Sequence, residues 1–399
     1  MNPIYARTYQ QVFKTALGFL PWREPELLQG PGSLEQLPEK IKKLGISSVL
    51  IVTDQDIAKL HLMDGLLTGL DLLGIKYLVF DRTVPNPTIA NIEEARALYA
   101  ANRCEALIAF GGGSPIDCAK AVGARIARPS KSIAQLKGSL RVRKAIPPLF
   151  AVPTTSGTGS EATLAAVVTN PDTNEKYAIM DPSLLPHYAV LDPLLTMKLP
   201  PSITATTGMD ALTHAVEAYI GRSNTKETKQ WSREVVRLVF GNVYEAYSNG
   251  ENLAARTNML QAAYLGGKAF TRAFVGNVHA IAHTLGGFYN VPHGLANAII
   301  MPHVLAYYGK HVYEPLSELA DIIGIAAPGD TKQKKAEMFI EEIRALNRAM
   351  GIPEKVSGIK PEDIPLMVGR ADAEANPLYP VPQILSKKQF TELYELIRE

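Results

Sequence analysis

The 399-residue chain predicts two units in tandem. The first is an α/β unit on a parallel sheet over residues 1–198, and the second an all-helical unit over residues 199–399. Three observations predict this. The length exceeds what one ordinary core organises. Up to about residue 195, short continuous apolar runs alternate with helical stretches, the pattern of parallel strands covered on both faces. After Lys198, Pro200 and Pro201 interrupt the chain, and from about Thr204 the apolar positions recur at three- and four-residue steps.

Ser47–Thr53 (SSVLIVT), Tyr77–Phe80, Ala106–Phe110, Leu149–Val152 and Tyr188–Leu191 read as buried strands. A helix is predicted at Ile92–Ala101, between strands. Ala165–Thr169 and Tyr177–Met180, joined by the turn-rich Asn170–Asn174, read as a hairpin. In the second half, Glu251–Phe270 and Lys334–Met350 have helical periodicity, the latter closed by Gly351. Ser386–Gln389 is a capping box before a last helix reaching Arg398. No internal repeat or low-complexity segment interrupts this order.

A net charge of +2 and 46% apolar residues fit a well-packed soluble protein with no bulk attraction to nucleic acid or membrane. One stretch departs from the balance. Residues 118–160 hold eight Lys or Arg and no Asp or Glu. They read as a solvated basic face, or more sharply as a positive rim for an anionic ligand such as a dinucleotide. Cys104 and Cys118 are the only cysteines, which excludes a disulfide framework or a cysteine zinc site. The N-terminus lacks the cationic, apolar and small-residue succession of a secretory signal, and no apolar run is long enough to span a bilayer. The cytoplasm is the expected compartment.

The strand Ala106–Phe110 runs into Gly111-Gly112-Gly113-Ser114-Pro115-Ile116-Asp117. Consecutive glycines let backbone N–H groups approach a pyrophosphate, and a helix N-terminus adds positive partial charge. Pro115 suits the first turn of that helix. Asp54 closes the strand Ser47–Thr53, where its carboxylate can accept hydrogen bonds from a ribose diol and repel a 2′-phosphate, favouring NAD over NADP. The loop Pro153–Glu161 (PTTSGTGSE) supplies hydroxyls and glycines after another strand. Three such loops at strand carboxyl ends predict a dinucleotide crevice.

The helical half carries the second chemical signal. Four of the eight histidines, His214, His279, His283 and His293, lie within residues 214–293. Asp210 and His214 are spaced i, i+4, as are His279 and His283, so each pair shares a helix face. His293 follows on a Pro-His-Gly turn. One carboxylate with imidazoles suits Zn²⁺ or Fe²⁺ rather than Ca²⁺ or Mg²⁺. Spacing alone leaves open whether His279 or His283 is the third imidazole ligand. His61, His187, His303 and His311 read as structural.

Val84–Ile89 (VPNPTI), Gly111–Asp117, Pro153–Glu161, Gly208–Tyr219 and His279–Gly294, continuing to Pro302, resemble the iron-containing, metal-dependent alcohol dehydrogenases, over most of the chain. The resemblance implies the fold that this family shares with dehydroquinate synthases: a dinucleotide domain, then a helical metal domain. It implies Asp210, His214, His279 and His293 as metal ligands, with His283 beside the nicotinamide moving protons. It implies Asp54 at the adenosine ribose, Gly112, Gly113 and Ser114 at the pyrophosphate, and Thr154, Thr155 and Thr158 along the nucleotide. Asn86, Asp117 and Lys176 would stand near its ribose or nicotinamide parts. The implied activity is NAD(H)-linked, metal-dependent interconversion of a small alcohol or diol and its aldehyde, in a homodimer or larger homo-oligomer. Two places depart from the family pattern: Arg272 and Phe274 replace an Asn and a smaller residue, and Asp372–Pro377 (DAEANP) is acidic where some relatives carry cysteine. The competing readings are a metal- and NAD-dependent synthase of the dehydroquinate synthase type, which the basic segment favours, and polyol oxidation of the glycerol dehydrogenase type.

Overall fold

A computed structural model describes residues 3–17, 22–173 and 175–399. The chain divides into two compact units, Trp22–Leu199, and Met1–Pro21 with Pro200–Glu399. The N-terminal helix α1 (Pro3–Leu17) is therefore part of the helical unit, whereas the sequence reading puts residues 1–21 with the sheet. Its ties are specific: Arg7 donates to the carbonyls of Val381 and Pro382, and Gln10 to those of Pro377 and Tyr379.

The α/β unit contains strands β1 (Glu26–Gln29), β2 (Ser48–Val52), β3 (Lys76–Phe80), β4 (Ala106–Gly111), β5 (Gly138–Ser139), β6 (Leu149–Pro153), β7 (Ala165–Asn170), β8 (Glu175–Met180) and β9 (Tyr188–Leu191). Its helices are α2 (Leu37–Lys43), α3 (Gln55–Lys59), α4 (Asp64–Leu72), α5 (Ile89–Ala101), α6 (Gly113–Ala127) and α7 (Ile133–Leu136). The six-stranded sheet runs β1-β9-β6-β4-β2-β3, every pair parallel.

Side-chain alternation explains why the central strands read as continuous apolar runs. Leu50, Val52, Leu107, Ala109, Leu149 and Ala151 face one core with Ile92 of α5 and Ile116, Ala119 and Val122 of α6. Val49, Ile51, Ile108, Phe110, Phe150 and Val152 face the other with Leu37 and Ile41 of α2 and Leu66 and Leu70 of α4. Both faces are buried, so neither parity is polar.

The predicted hairpin is present: β7 pairs antiparallel with β8 from Ala165↔Met180 to Asn170↔Glu175. Asn174 of the predicted turn lies outside the described residues. β5 adds to this small sheet through a parallel pairing with β8. The sequence reading missed β1 and β5; β1 is a four-residue edge strand with exposed ends, and β5 is two residues long.

The helical unit continues with α8 (Pro201–Ile220), α9 (Lys226–Ser248), α10 (Leu253–Ala273), α11 (Asn277–Tyr289), α12 (His293–Tyr308), α13 (Tyr313–Ile322), α14 (Lys332–Ala349), α15 (Ile364–Ala375) and α16 (Lys387–Ile397). α8 is buried along an unbroken run from Gly208 to Ile220, which makes it the central helix of this unit. The capping box before α16 forms as expected, Ser386 Oγ accepting from Gln389 N–H and Gln389 Oε1 from Ser386 N–H. His293 is not on a free turn: it opens α12, with Pro292 as its N-cap. No helix among the described residues is long and apolar enough to cross a membrane.

Candidate metal centre and nucleotide crevice

α8 presents Asp210 and His214 one turn apart, α11 presents His279, and the first residue of α12 is His293. Their ligand atoms all lie within 4.8 Å of one another. Asp210 Oδ1 is 3.9 Å from His214 Nε2, 4.0 Å from His279 Nε2 and 3.6 Å from His293 Nε2. Edges of about 3.4 Å separate the ligands of a tetrahedral ion with bonds near 2.1 Å, so modest contraction of this group fits one divalent cation. His283 falls outside the group. Its ring stacks on that of His293 at 5.2 Å and meets that of His279 edge-on at 6.0 Å.

Residues that the sequence reading passed over hold this arrangement. Glu217, two turns beyond Asp210 on α8, accepts from His279 Nδ1 at 2.6 Å and from the backbone N–H groups of Gly276 and Val278 at 2.8 Å each. The carboxylate thus fixes the entry to α11 and the His279 tautomer, leaving Nε2 for a metal. Asn297, one turn after His293, sends Nδ2 to Asp210 Oδ1 at 2.7 Å and stands 3.2 Å from the Nε2 atoms of both His279 and His293. Phe270 stacks on His214 at 4.2 Å. Glu374 of α15 binds His283 Nδ1 at 2.6 Å. The i, i+7 and i, i+4 spacings to Asp210 and His293 were the available signals for Glu217 and Asn297.

The other histidines have structural surroundings or lie at the surface. His187 Nδ1 accepts from Leu149 N–H, and burial, with Arg23 nearby, pushes its pKa down to about 4. His303 bonds the carbonyl of Glu354. His61 and His311 are exposed.

Within the α/β unit, β3 departs from β2 to one side of the sheet while β4 returns to its other side. Such a switch point between strands opens a ligand crevice at their carboxyl ends. Asp54 follows β2 there, and Gly111–Ser114 follow β4. Asp54 caps α3, Oδ1 accepting from Ile57 N–H at 2.9 Å. A methyl group at Gly111 would lie 3.6 Å from its Oδ2. Burial raises the Asp54 pKa against these capping bonds.

The loop 153–161 closes on the same turn. A Cβ at Gly112 would meet Thr155 Cγ2 at 3.3 Å, and one at Gly113 would meet Thr158 Cγ2 at 2.9 Å. Asn86, in the left-handed region at φ 56°, donates its backbone N–H to Ser114 Oγ. Asp54, Asn86, Gly111, Gly112, Gly113, Ser114, Thr155 and Thr158 are thereby brought together, with buried Thr154 beginning the loop.

Asp117 and Lys176 sit differently. Asp117 accepts from Ser160 Oγ at 2.6 Å and Val167 N–H at 3.0 Å, so its carboxylate ties α6 to β7 and to the end of the hydroxyl-rich loop. Burial raises the Asp117 pKa against the charges of Lys120 and, more weakly, of Lys176 on β8. Lys120, wholly buried, sets its ammonium group within hydrogen-bonding distance of five oxygens of Ser160, Thr163 and Ala165, which share its three N–H donors. Burial lowers its pKa to about 8 and raises that of neighbouring Glu161 to about 7. Much of the basic segment is consumed in this way: Arg125 pairs with Glu93, Arg128 bonds the carbonyl of Val142, and Lys137 pairs with Glu175.

Comparison with known proteins covers both units of the chain. The family described as "Iron-containing alcohol dehydrogenase" matches residues 25–193, and "Fe-containing alcohol dehydrogenase family, C-terminal" matches residues 204–397. The chain is 37% identical to the 1,3-propanediol dehydrogenase of Citrobacter freundii, over 92% of this chain and 95% of that protein. It is 33% identical to the NAD-dependent methanol dehydrogenase of Bacillus methanolicus, over 88% and 92%. The crystal structure of a 1,3-propanediol oxidoreductase superposes with a TM-score of 0.90 at 34% identity, over 94% of this chain and 99% of that one. With both of its units matched and its helical unit gathering one carboxylate and three imidazoles, the chain belongs to the iron-containing alcohol dehydrogenase family.

Proposed function

We propose that this enzyme interconverts a small primary alcohol or diol and its aldehyde, with NAD as hydride carrier and a divalent ion held by Asp210, His214, His279 and His293. Iron is the first candidate for the ion and zinc the second. The convergence of these four ligand atoms, with His283 beside but outside them, carries the proposal. When bound, the ion supplies Lewis acidity toward charge at the substrate oxygen, and the nicotinamide supplies or accepts the hydride.

The chain's own residues do the rest. Asp54 receives the ribose hydroxyls, and the N–H groups of the Gly111–Ser114 turn, with Asn86, Thr154, Thr155 and Thr158 around it, hold the dinucleotide. Asp117, with Lys176 near it, keeps the hydroxyl-rich loop in place from behind. His283 exchanges the substrate proton, its Nδ1 being engaged by Glu374 and its Nε2 left for transfer. The synthase reading is weakened, because part of the basic segment is tied down within the α/β unit, Arg125 by Glu93 and Lys137 by Glu175.

Relatives named for 1,3-propanediol and methanol support starting from short aldehydes and hydroxyaldehydes. Anaerobic NADH oxidation by protein loaded separately with Fe²⁺ or Zn²⁺, beside a chelator-treated control, is expected to show metal-dependent turnover. Tight binding of NADH and metal without turnover on any aldehyde would overturn the proposal.

The cofactor assignment has its own test. Asp54→Asn keeps an acceptor for the α3 cap and removes the charge that repels a 2′-phosphate, so kcat/KM for NADP relative to NAD is expected to rise about tenfold or more, near 1.4 kcal/mol. Asp54→Gly should do the same with a loss of stability of about a few tenths of a kcal/mol for the lost cap. An unchanged cofactor ratio in both variants would reduce Asp54 to a helix cap.

A further inference from the structure

Glu374 lies near the end of α15, on the segment where the sequence departs from the family pattern. Its Oε1 accepts from two directions: His283 Nδ1 stands at 2.6 Å and the Tyr379 hydroxyl donates at 2.7 Å. Burial works against the Glu374 charge, yet His283 and the Tyr379 hydroxyl outweigh it and hold the carboxyl below its usual pKa. Burial and the adjacent carboxylate push the Tyr379 phenol well above 10, so it remains a donor.

The segment is also held from outside. Gln10 of α1, itself buried, donates Nε2 to Tyr379 O at 2.7 Å and Pro377 O at 3.1 Å. Arg7 donates to Val381 O at 2.7 Å and Pro382 O at 3.0 Å. α1 precedes both stretches that match the family, which begin at residue 25.

We propose that Glu374 is the positioning residue for His283, braced by the Tyr379 hydroxyl and by the clamp that α1 places on residues 377–382. An imidazole beside a metal cage can turn about its Cβ–Cγ bond and can carry its proton on either nitrogen. A carboxylate fixed at Nδ1 selects one ring orientation and one tautomer, the one with Nδ1–H and a bare Nε2. Glu374 touches neither substrate nor cofactor in this assignment; it acts through His283. The inference rests on the proton-exchange role given to His283 above.

The test uses the full chain loaded with zinc. Glu374→Ala is expected to lower kcat by about 10- to 100-fold while KM for the aldehyde, metal content and melting temperature stay near those of the parent. Glu374→Gln keeps an acceptor oxygen and should recover most of that loss. Gln10→Ala, which removes two of the four bonds that α1 makes to residues 377–382 and leaves those of Arg7, should lower kcat only a few-fold. Imidazole nitrogen NMR gives a readout apart from turnover: His283 should hold the Nδ1–H tautomer in the parent and in Glu374→Gln, and exchange between tautomers in Glu374→Ala. If His283→Ala is slow but Glu374→Ala keeps full kcat and a single tautomer, the positioning role is wrong. Loss of metal from Glu374→Ala and Glu374→Gln alike would also overturn it, because the carboxylate would then be serving the cage. If His283→Ala itself turns over normally, the proton-exchange role falls instead, and NMR still decides whether Glu374 sets the tautomer.

Discussion

His279→Ala is expected to purify without its ion and without measurable turnover, while His283→Ala keeps a full complement of metal and turns over slowly. The two histidines share one helix face at i, i+4 and differ only in what surrounds them. His279 is buried, directs Nε2 toward Asp210 and is tethered at Nδ1 by Glu217, which also binds the N–H groups of Gly276 and Val278. Removing that imidazole takes away one of four converging ligands and leaves the Glu217 carboxylate without its ring partner. His283 lies outside the cage and pairs with Glu374. Its loss should leave metal content intact and lower kcat by about 10²–10⁴-fold, the range of a positioned proton carrier. Metal analysis and anaerobic NADH assays on the two variants decide the matter. Equal metal content with unchanged turnover in both would sink the ligand assignment and the proton role together.

The i, i+4 spacing made these pairs legible in the sequence, because a helix converts it directly into a shared face. It could not rank His279 above His283, since the decision lies in Glu217 and Glu374, carboxylates distant in sequence from the rings they touch. The central strands were legible for a similar reason: burial on both faces removes polar residues from β2, β4, β6 and β9 at once. The edge strand β1, with exposed Glu26 and Gln29, carries no such mark. Nothing local in the residues of α1 says that Arg7 and Gln10 answer carbonyls some 370 residues away. Asp117 was legible as part of a phosphate-type turn, yet its side chain leads into the packing behind that turn. A motif specifies backbone direction more firmly than side-chain direction. The basic run 118–160 likewise shows charge without partners in the sequence, and its partners, such as Glu93 and Glu175, lie outside the run.

Gly294→Ala should damage the metal centre more than its single methyl group suggests. Gly294 follows His293 in the first turn of α12, where that helix meets α8. A Cβ at this position would stand 2.4 Å from the carbonyl oxygen of Thr206, 2.8 Å from its carbonyl carbon and 3.4 Å from Asp210 Cβ. The first two are backbone atoms inside α8 and cannot swing aside, so α12 must move off α8. Overpacking of this kind costs about 1–3 kcal/mol, and here the displaced residue beside it carries a ligand. His293 Nε2, 3.6 Å from Asp210 Oδ1, would be drawn away from the other three donors. The expected result is a lower melting temperature together with weakened metal retention. Stabilisation by added metal, which grows as RT ln(1 + [L]/Kd), should therefore shrink relative to the parent. Gly276→Ala is the comparison in which the clash falls on a side chain that can adjust. Its methyl group would meet Glu217 Oε1 at 2.7 Å, a side-chain atom, so it strains the tether of His279 without prising two helices apart. Melting curves of each variant with chelator and with excess zinc separate the cases. If Gly294→Ala keeps the parent's full zinc-dependent rise in melting temperature, α12 does not depend on this close approach to hold His293.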